Sequence, residues 1–492
     1  MLSKRSPITC IRSIHSVKTS NITSIPDFTK YSPIRPINEE LTPYISETLE
    51  GYPHKSKYVN RQHFYHNKTV LIDDYLKKSP HPMSLAQLAQ YYDDSTTLTK
   101  HKIINSGRFV KEELAIRMAH KIYQLQQLPF NVVNNFHFVQ VYESYYNIFE
   151  RFRKFPRIKT IEDNSRFVEF TRRILQDFNS LNLPHLVMGA LECNILELLP
   201  RDEIDALLSS LLRARISRRL IVEEHLSISA NYLSGKKENT LVLGDIFQEC
   251  QALDYFMEAS RTCEKFVKAM YFDDIPIPEL IIEGQKDLTF YFLPTHLQYI
   301  LGEILRNIYE ATIKDYIRKG LAKPEPIVIT IVKNDSSFIF RFSDKAGGIL
   351  HHEEDIWSFG KSKERAAESL NNFHKLPGLQ TVSLYDHLYN GEEHDMNTRT
   401  LMANRPYMHT SLEAMGHSNL KKGPYKFEMP LIEMLERAPR YKLGIGLAMC
   451  KIYAEYWNGD LSLTTIPGHG TDTVLTLGNL MAHSDELQLD KV

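Results

Sequence analysis

The sequence predicts an N-terminal antiparallel helical bundle followed by an α/β sandwich. Three observations carry this. From residue 84 to about residue 230, apolar residues recur at helical spacing with short breaks between segments. After Pro276 the texture changes to two strand–turn–strand units with helices outside them. The 492 residues, 42% hydrophobic and 24% charged, have ordinary globular composition and suit two or three domains.

In the helical half, Phe109 to Leu128 places Val110, Leu114, Met118 and Ile122 on one stripe, and Pro129 closes it. Asn134 to Phe152 forms a second helix, ended by Pro156. Residues 163–178 and 185–199 continue the pattern, and Asp202 is expected to cap a long helix through Leu207, Leu211 and Leu220. The clustered tyrosines Tyr142, Tyr145 and Tyr146 read as bundle packing, and Arg213, Arg215, Arg218 and Arg219 as surface and salt-bridge residues. Residues 246–269 add one more helix.

Beyond it, Ile327 to Val332 alternates as a strand, Asn334-Asp335-Ser336 turns, and Phe338 to Phe342 returns. A second hairpin runs Asp460 to Ile466 and Asp472 to Leu477 around Pro467-Gly468-His469-Gly470. Helices are expected at 295–319 and 443–457. The bundle is assigned to 81–235, the sandwich to 236–480 and a C-terminal tail to 481–492.

The ends and the bulk chemistry narrow the function classes. Residues 1–26 carry Lys4, Arg5, Arg12, Lys18 and six serines, with no acid before Asp27, the composition of a mitochondrial transit peptide. Residues 27–80 read as an extended lead-in. Lys and Arg total 59 against 60 Asp and Glu, so no global positive field exists to hold nucleic acid. The five cysteines form no CxxC pair, which argues against a zinc cluster or a disulfide framework. No apolar run reaches the roughly 18 residues of a membrane span.

Four short pieces carry chemistry. In helix 295–319, Glu303, Asn307 and Glu310 share a face distinct from the apolar stripe Leu297, Ile300, Leu301, Ile304, Leu305 and Ile308. A carboxylate one turn from a carboxamide suits a base beside a ligand of Mg²⁺, which prefers hard oxygen donors. Asp344-Lys345-Ala346-Gly347-Gly348 follows a strand, where an Asp can accept from an adenine amino group and glycines let the backbone approach the base. Gly444-Ile445-Gly446-Leu447 opens a helix whose N–H groups suit phosphate. Gly468-His469-Gly470-Thr471 enters the last strand and offers a hydroxyl. Each piece alone also fits an ordinary turn or solvated helix face; their fixed order and context give them weight. The chain has no GxxxxGK[ST] loop and no HRD or DFG set.

In that order the pieces resemble the N, G1, G2 and G3 boxes of the GHKL ATPases. Within that superfamily the chain most resembles the mitochondrial 2-oxo acid dehydrogenase kinases, from about residue 80 to 480. The matching stretches include Phe292 to Leu297, Glu303 to Asn307, Tyr453 to Tyr456 with Gly459-Asp460-Leu461, Gly468 to Asp472, Pro184 through Glu192, and Arg215 to Arg218.

The resemblance implies a pyruvate dehydrogenase kinase using ATP and Mg²⁺ in the mitochondrial matrix. It implies Glu303 as general base, Asn307 as Mg²⁺ ligand, and Asp344 and Gly348 as adenine contacts. Ser362 and Lys363 would open a phosphate lid. Leu443, Gly444, Ile445, Gly446 and Leu447 would form the second glycine box, and Thr471 the third. Glu310 joins the nucleotide-side set through its shared face. The implied partners are the E1α subunit of pyruvate dehydrogenase, the lipoyl domain of the E2 core, and a second kinase subunit in a homodimer or heterodimer. Alternatives are a branched-chain 2-oxo acid dehydrogenase kinase, a non-catalytic scaffold of the complex, and, further off, a sensor histidine kinase.

The departures are specific. Ala346 and Lys442 replace glycines, and Ala346 requires a negative φ. Arg306 stands where Lys is usual and Glu310 where Arg is usual. Tyr299 replaces a His of the pyruvate branch and matches the branched-chain branch. Asn179 sits near a missing His, and the tail lacks an Asp-Trp pair. Residues 361–441 make an unusually long lid, with a fungal-type insertion at about 375–430 expected to be dispensable for ATP binding.

Overall fold

The computed structural model describes residues 67–84, 98–133, 135–235, 247–349, 354–373 and 442–482. The expectations for the transit peptide, most of the lead-in, the insertion at 375–430 and most of the tail lie outside them.

Within the lead-in expected to be extended, Asn67–Tyr75 is instead a π-helix, held by packing of Leu71 into the core, and it leads into the helical half. Its elements are α1 (Lys100–Gln126), the short α2 (Phe130–Val133), α3 (Phe136–Lys154), α4 (Ile161–Ile195) and α5 (Arg201–Ser234). Helix α1 packs against α3, α4 and α5, and α4 against α3 and α5, which makes an antiparallel bundle. Thr99 caps α1 by accepting from the Lys102 N–H, and Thr160 with Asp163 forms a capping box at α4. Tyr142, Tyr145 and Tyr146 are buried, as expected of packing residues.

Two local expectations are corrected. The two helices expected at 163–178 and 185–199 are one helix that runs through Pro184. Proline removes a helical hydrogen bond, yet Leu183, Leu186, Val187 and Met188 are buried around it, so bundle packing overrides the local cost. Asp202 does not cap α5: Pro200 is the N-cap and makes no side-chain cap bond, while Asp202 and Glu203 sit in the first turn, where the helix dipole favours acids. Gly235, at φ 65°, ends α5 in the left-handed conformation.

The second half contains β1 (Gln248–Gln251), α6 (Ala252–Met270), β2 (Leu280–Gly284), β3 (Thr289–Phe292), α7 (Pro294–Lys319), β4 (Ile327–Lys333) and β5 (Ser337–Asp344). The short α8 (Glu354–Trp357), α9 (Lys363–Phe373), α10 (Gly446–Tyr456), β6 (Asp460–Ile466) and β7 (Gly470–Gly478) follow. The helix expected at 246–269 begins instead as β1, which pairs antiparallel with β3 before α6 starts. A five-stranded sheet has the order β2-β4-β5-β7-β6, with β2 and β4 parallel and the other pairs antiparallel. Phe338, Phe340, Phe342, Leu475 and Leu477 line its buried face, and Phe256 of α6 meets Phe340 and Phe342 edge-on. Helix α7 packs between α6 and α10. A helical bundle joined to an α/β sandwich is the fold class predicted from sequence. No helix among the described residues is long and apolar enough to cross a membrane.

Of the four arginines of α5, Arg213, Arg215 and Arg218 are half-buried and Arg219 is buried, and the expected salt bridges form at Arg213 and Arg219. Arg219 is buried and bonds Glu223 at 2.7 Å, Arg218 lies 4.5 Å over the Tyr145 ring, and Arg213 reaches Glu455 of α10 at 2.6 Å. Near them, burial first and then the charges of Arg218 and Arg117 push the Lys121 ammonium down to about 8. Its bonds run to Ser210 and Gln124, both neutral. Because the folded form binds this proton less tightly than the unfolded chain, stability rises with pH between about 8 and the ordinary lysine value near 10.5. Lys121→Met should therefore raise stability at pH 7 by up to roughly 3 kcal/mol, with the gain shrinking as pH rises through that window. Denaturant melts of both proteins across pH 7–10.5 check it; a gain independent of pH would show that titration of Lys121 is not its source.

Candidate active site

Helix α7 is the backbone of the site. Pro294 begins it with no amide N–H lost to the ladder, and Gly320, at φ 60°, ends it. The stripe Leu297, Ile300, Leu301, Ile304, Leu305 and Ile308 is buried as expected. The opposite face is graded. Glu303 is only 1% exposed, Asn307 is exposed, and Glu310 is half-buried. Gly446 sits on Glu303 so closely that an added methyl carbon would lie 2.2 Å from Glu303 Oε2. Glycine is thus required there for contact rather than for φ, and the first turn of α10 is held directly over the carboxylate.

The loop before α10 explains its own side chains. Leu443 and Ile445 point into the core and Gly444 takes φ 69°. These residues can meet a ligand only through their backbone. Ile445 stands at the N-cap of α10 and supplies no side-chain bond to its first-turn N–H groups, which suit an anionic ligand. Leu447 is half-buried against the core.

At the other end of α7 the strand ends converge. Asp344 faces Thr471 across β5–β7, and Thr465 faces Thr471 across β6–β7. Asp344 Oδ1 accepts from the Ala346 N–H at 2.9 Å. Burial raises the Asp344 carboxyl above the ordinary value, against the pull of the Ala346 and Thr471 N–H groups. Gly347 and Gly348 take φ 85° and 74°; a Cβ on Gly348 would lie 2.5 Å from the Ile466 carbonyl oxygen. Ala346 is not among the positive-φ residues, so the extra methyl meets its condition. Asp315 and Arg318 at the end of α7 border Gly347, so this helix spans both clusters.

The structure thus brings together Glu303, Asn307 and Gly446 at one end, and Asp344, Gly348 and Thr471 at the other. Ser362 and Lys363 lie at the start of α9, and a methyl on Gly444 would lie 3.7 Å from Lys361 Cε and 3.1 Å from Ser369 Oγ. Burial works against ionisation of Glu310, but bonds from Lys314 and Lys442 outweigh it and hold its carboxyl below the usual value. Lys442 lies 2.7 Å from Glu310, so the residue that departs from a glycine box carries a paired side chain.

Sequence reasoning missed Thr465. Its hydroxyl accepts from the Ile349 N–H at 2.8 Å and lies 3.3 Å from the Thr471 hydroxyl. The only sequence signal was its register opposite Thr471 in the hairpin.

A helical bundle joined to an α/β sandwich, with an acid against a glycine-led helix and an Asp–Thr pair at the strand ends, is the architecture expected of a GHKL-type protein. The comparisons narrow this. A family model described as mitochondrial branched-chain alpha-ketoacid dehydrogenase kinase matches residues 82–247. The mitochondrial pyruvate dehydrogenase (acetyl-transferring) kinase 2 of Saccharomyces cerevisiae is 68% identical over 487 residues, covering 99% of each chain. Human isozyme 1 of that kinase is 22% identical over 84% of this chain and 81% of its own. The Arabidopsis thaliana kinase is 23% identical over 78% of this chain and 87% of its own. The chain belongs to the pyruvate dehydrogenase kinase family, and is a transferase that uses ATP. These relatives are named as mitochondrial, in agreement with the basic, acid-free N-terminal segment.

Proposed function

We propose that this chain is a mitochondrial matrix protein-serine kinase that phosphorylates E1α of pyruvate dehydrogenase and so inhibits it. Residues 81–235 form its regulatory bundle and 236–480 its ATP-binding part. The observation that carries the reading is the buried carboxylate of Glu303 lying against Gly446, at the uncapped start of α10, with exposed Asn307 one turn away. Adenine is bound by Asp344, Gly348 and Thr471. The triphosphate meets the backbone of Leu443 to Leu447, with Ser362 and Lys363 above it.

The donor set fits Mg²⁺. Among the described residues no cluster of three His, Cys, Asp or Glu side chains exists to cage a metal, and the exposed Asn307 amide supplies one hard oxygen, leaving the rest of the shell to phosphate and water. When bound, the ion neutralises charge on the phosphates. The reaction forms a bond between the substrate serine oxygen and the γ-phosphorus and breaks the bond to the β-phosphate oxygen. Glu303 takes the serine proton, and ADP leaves. Positioning and electrostatics supply most of the acceleration, as is usual for phosphoryl transfer.

A second substrate reading has its own support: Tyr299, buried with its hydroxyl toward Met449 Sδ, is the branched-chain residue type. We favour pyruvate dehydrogenase. The partners proposed with it are the lipoyl domain of the E2 core and a second kinase subunit. The test is transfer of labelled phosphate from Mg-ATP to purified E1α of each complex. Serine labelling of pyruvate dehydrogenase E1α with loss of its activity is expected. Labelling of the branched-chain subunit alone would reassign the substrate, and labelling of neither would leave the scaffold reading.

A further inference from the structure

Asp205 lies on the second turn of α5, in the helical bundle. Its Oδ1 accepts from two consecutive backbone N–H groups of the α/β half, Phe359 at 2.6 Å and Gly360 at 3.2 Å. Asn194, at the end of α4, donates to the Phe359 carbonyl at 3.0 Å. A Cβ on Gly360 would lie 2.7 Å from Arg201 Cβ and 3.0 Å from Arg201 Cα, so the α5 start and this glycine are in backbone-level contact. Phe359 is buried, and so is Asn194. Three groups of the helical bundle therefore grip one dipeptide.

That dipeptide stands one residue before the proposed phosphate-side residues Ser362 and Lys363. Helix α9 then packs along α4, with Ala366 and Leu370 fully buried. Near its end Asn372 donates to the Lys442 carbonyl at 2.9 Å. Lys442 pairs with Glu310 at 2.7 Å, one turn beyond Asn307 on α7. The contacts run without a gap from the bundle to the face that carries Asn307.

We propose that Asp205 and Asn194 are positioning residues for nucleotide binding: by fixing Phe359 and Gly360 they set where the stem after Gly360 stands relative to α7 and α10. This rests on the reading of that region as the ATP site. Asp205 touches no reacting atom; it acts through two backbone amides, so its useful property is an oxygen acceptor rather than a charge.

The test uses the full chain, isothermal titration with Mg-ATP, E1α phosphorylation at varied ATP, and melting temperatures. Asp205→Ala is expected to raise Kd and KM for Mg-ATP by about three- to tenfold, the scale of losing one ordinary net hydrogen bond, and to move KM more than kcat. Asp205→Asn, which keeps the carbonyl oxygen, should restore affinity to within about twofold. Asn194→Ala should shift affinity in the same direction and serves if Asp205→Ala does not fold. Wild-type nucleotide affinity in both Asp205→Ala and Asn194→Ala overturns the proposal. So does a loss in Asp205→Asn equal to that in Asp205→Ala, or a lowered melting temperature with KM unchanged. A wild-type chain that binds no Mg-ATP would instead overturn the site reading itself.

Discussion

Glu303→Gln is expected to bind Mg-ATP as the wild type does and to lose phosphoryl transfer by roughly 10²–10⁴-fold, the usual contribution of a general base. The substitution keeps the shape of a side chain that is 1% exposed and lies under Gly446. Glutamine retains an acceptor oxygen but cannot take a serine proton. Packing around Ile300, Ile304 and Ile308 is untouched because these occupy another face of α7. Single-turnover transfer to E1α and a parallel titration with Mg-ATP separate chemistry from binding. Transfer within about threefold of wild type, well inside the range of a base effect, would remove Glu303 from that role.

Much of this arrangement was legible because its causes are local. The hairpin at 334–337 follows from Asn334, whose Oδ1 accepts from the Ser336 N–H at 3.0 Å, and the alternation of β4 and β5 sets the buried phenylalanines. Helix α7 was legible from its apolar stripe, and the structure adds the proline start and the glycine end. The glycine boxes were legible as glycines, and the structure supplies the separate reasons: Gly348 for φ, Gly446 for contact with Glu303.

What was not legible depends on distant partners. Strand β1 is four residues, Gln-Glu-Cys-Gln, and exists by pairing with β3 some forty residues later. The continuity of α4 through Pro184 is set by bundle packing rather than by propensity. Asp205 reads as a polar residue early in a helix. Its partner Phe359 is 154 positions away, and no spacing rule reaches that far. Lys442 read only as a lost glycine, because a salt bridge to Glu310 has no local signature.

Asn307→Ala is the second large effect expected, and it falls on binding rather than on chemistry. Asn307 is exposed and stands one turn from Glu303 on the face opposite the buried stripe. Alanine is the best helix former, so α7 should keep its fold and the melting temperature should not fall. What is lost is the amide oxygen proposed to hold Mg²⁺ against the phosphates. Losing one such partner to a charged group is worth about 1.5–3 kcal/mol, which corresponds to a roughly 10- to 150-fold weaker Mg-ATP affinity. The same loss should be absent when ATP is titrated with EDTA in place of Mg²⁺, because the oxygen is then not coordinating. Titrations of both proteins with and without the metal decide it. Equal affinities for Mg-ATP would show that Asn307 does not coordinate the ion, and an equal loss in EDTA would show that it contacts the nucleotide rather than the metal.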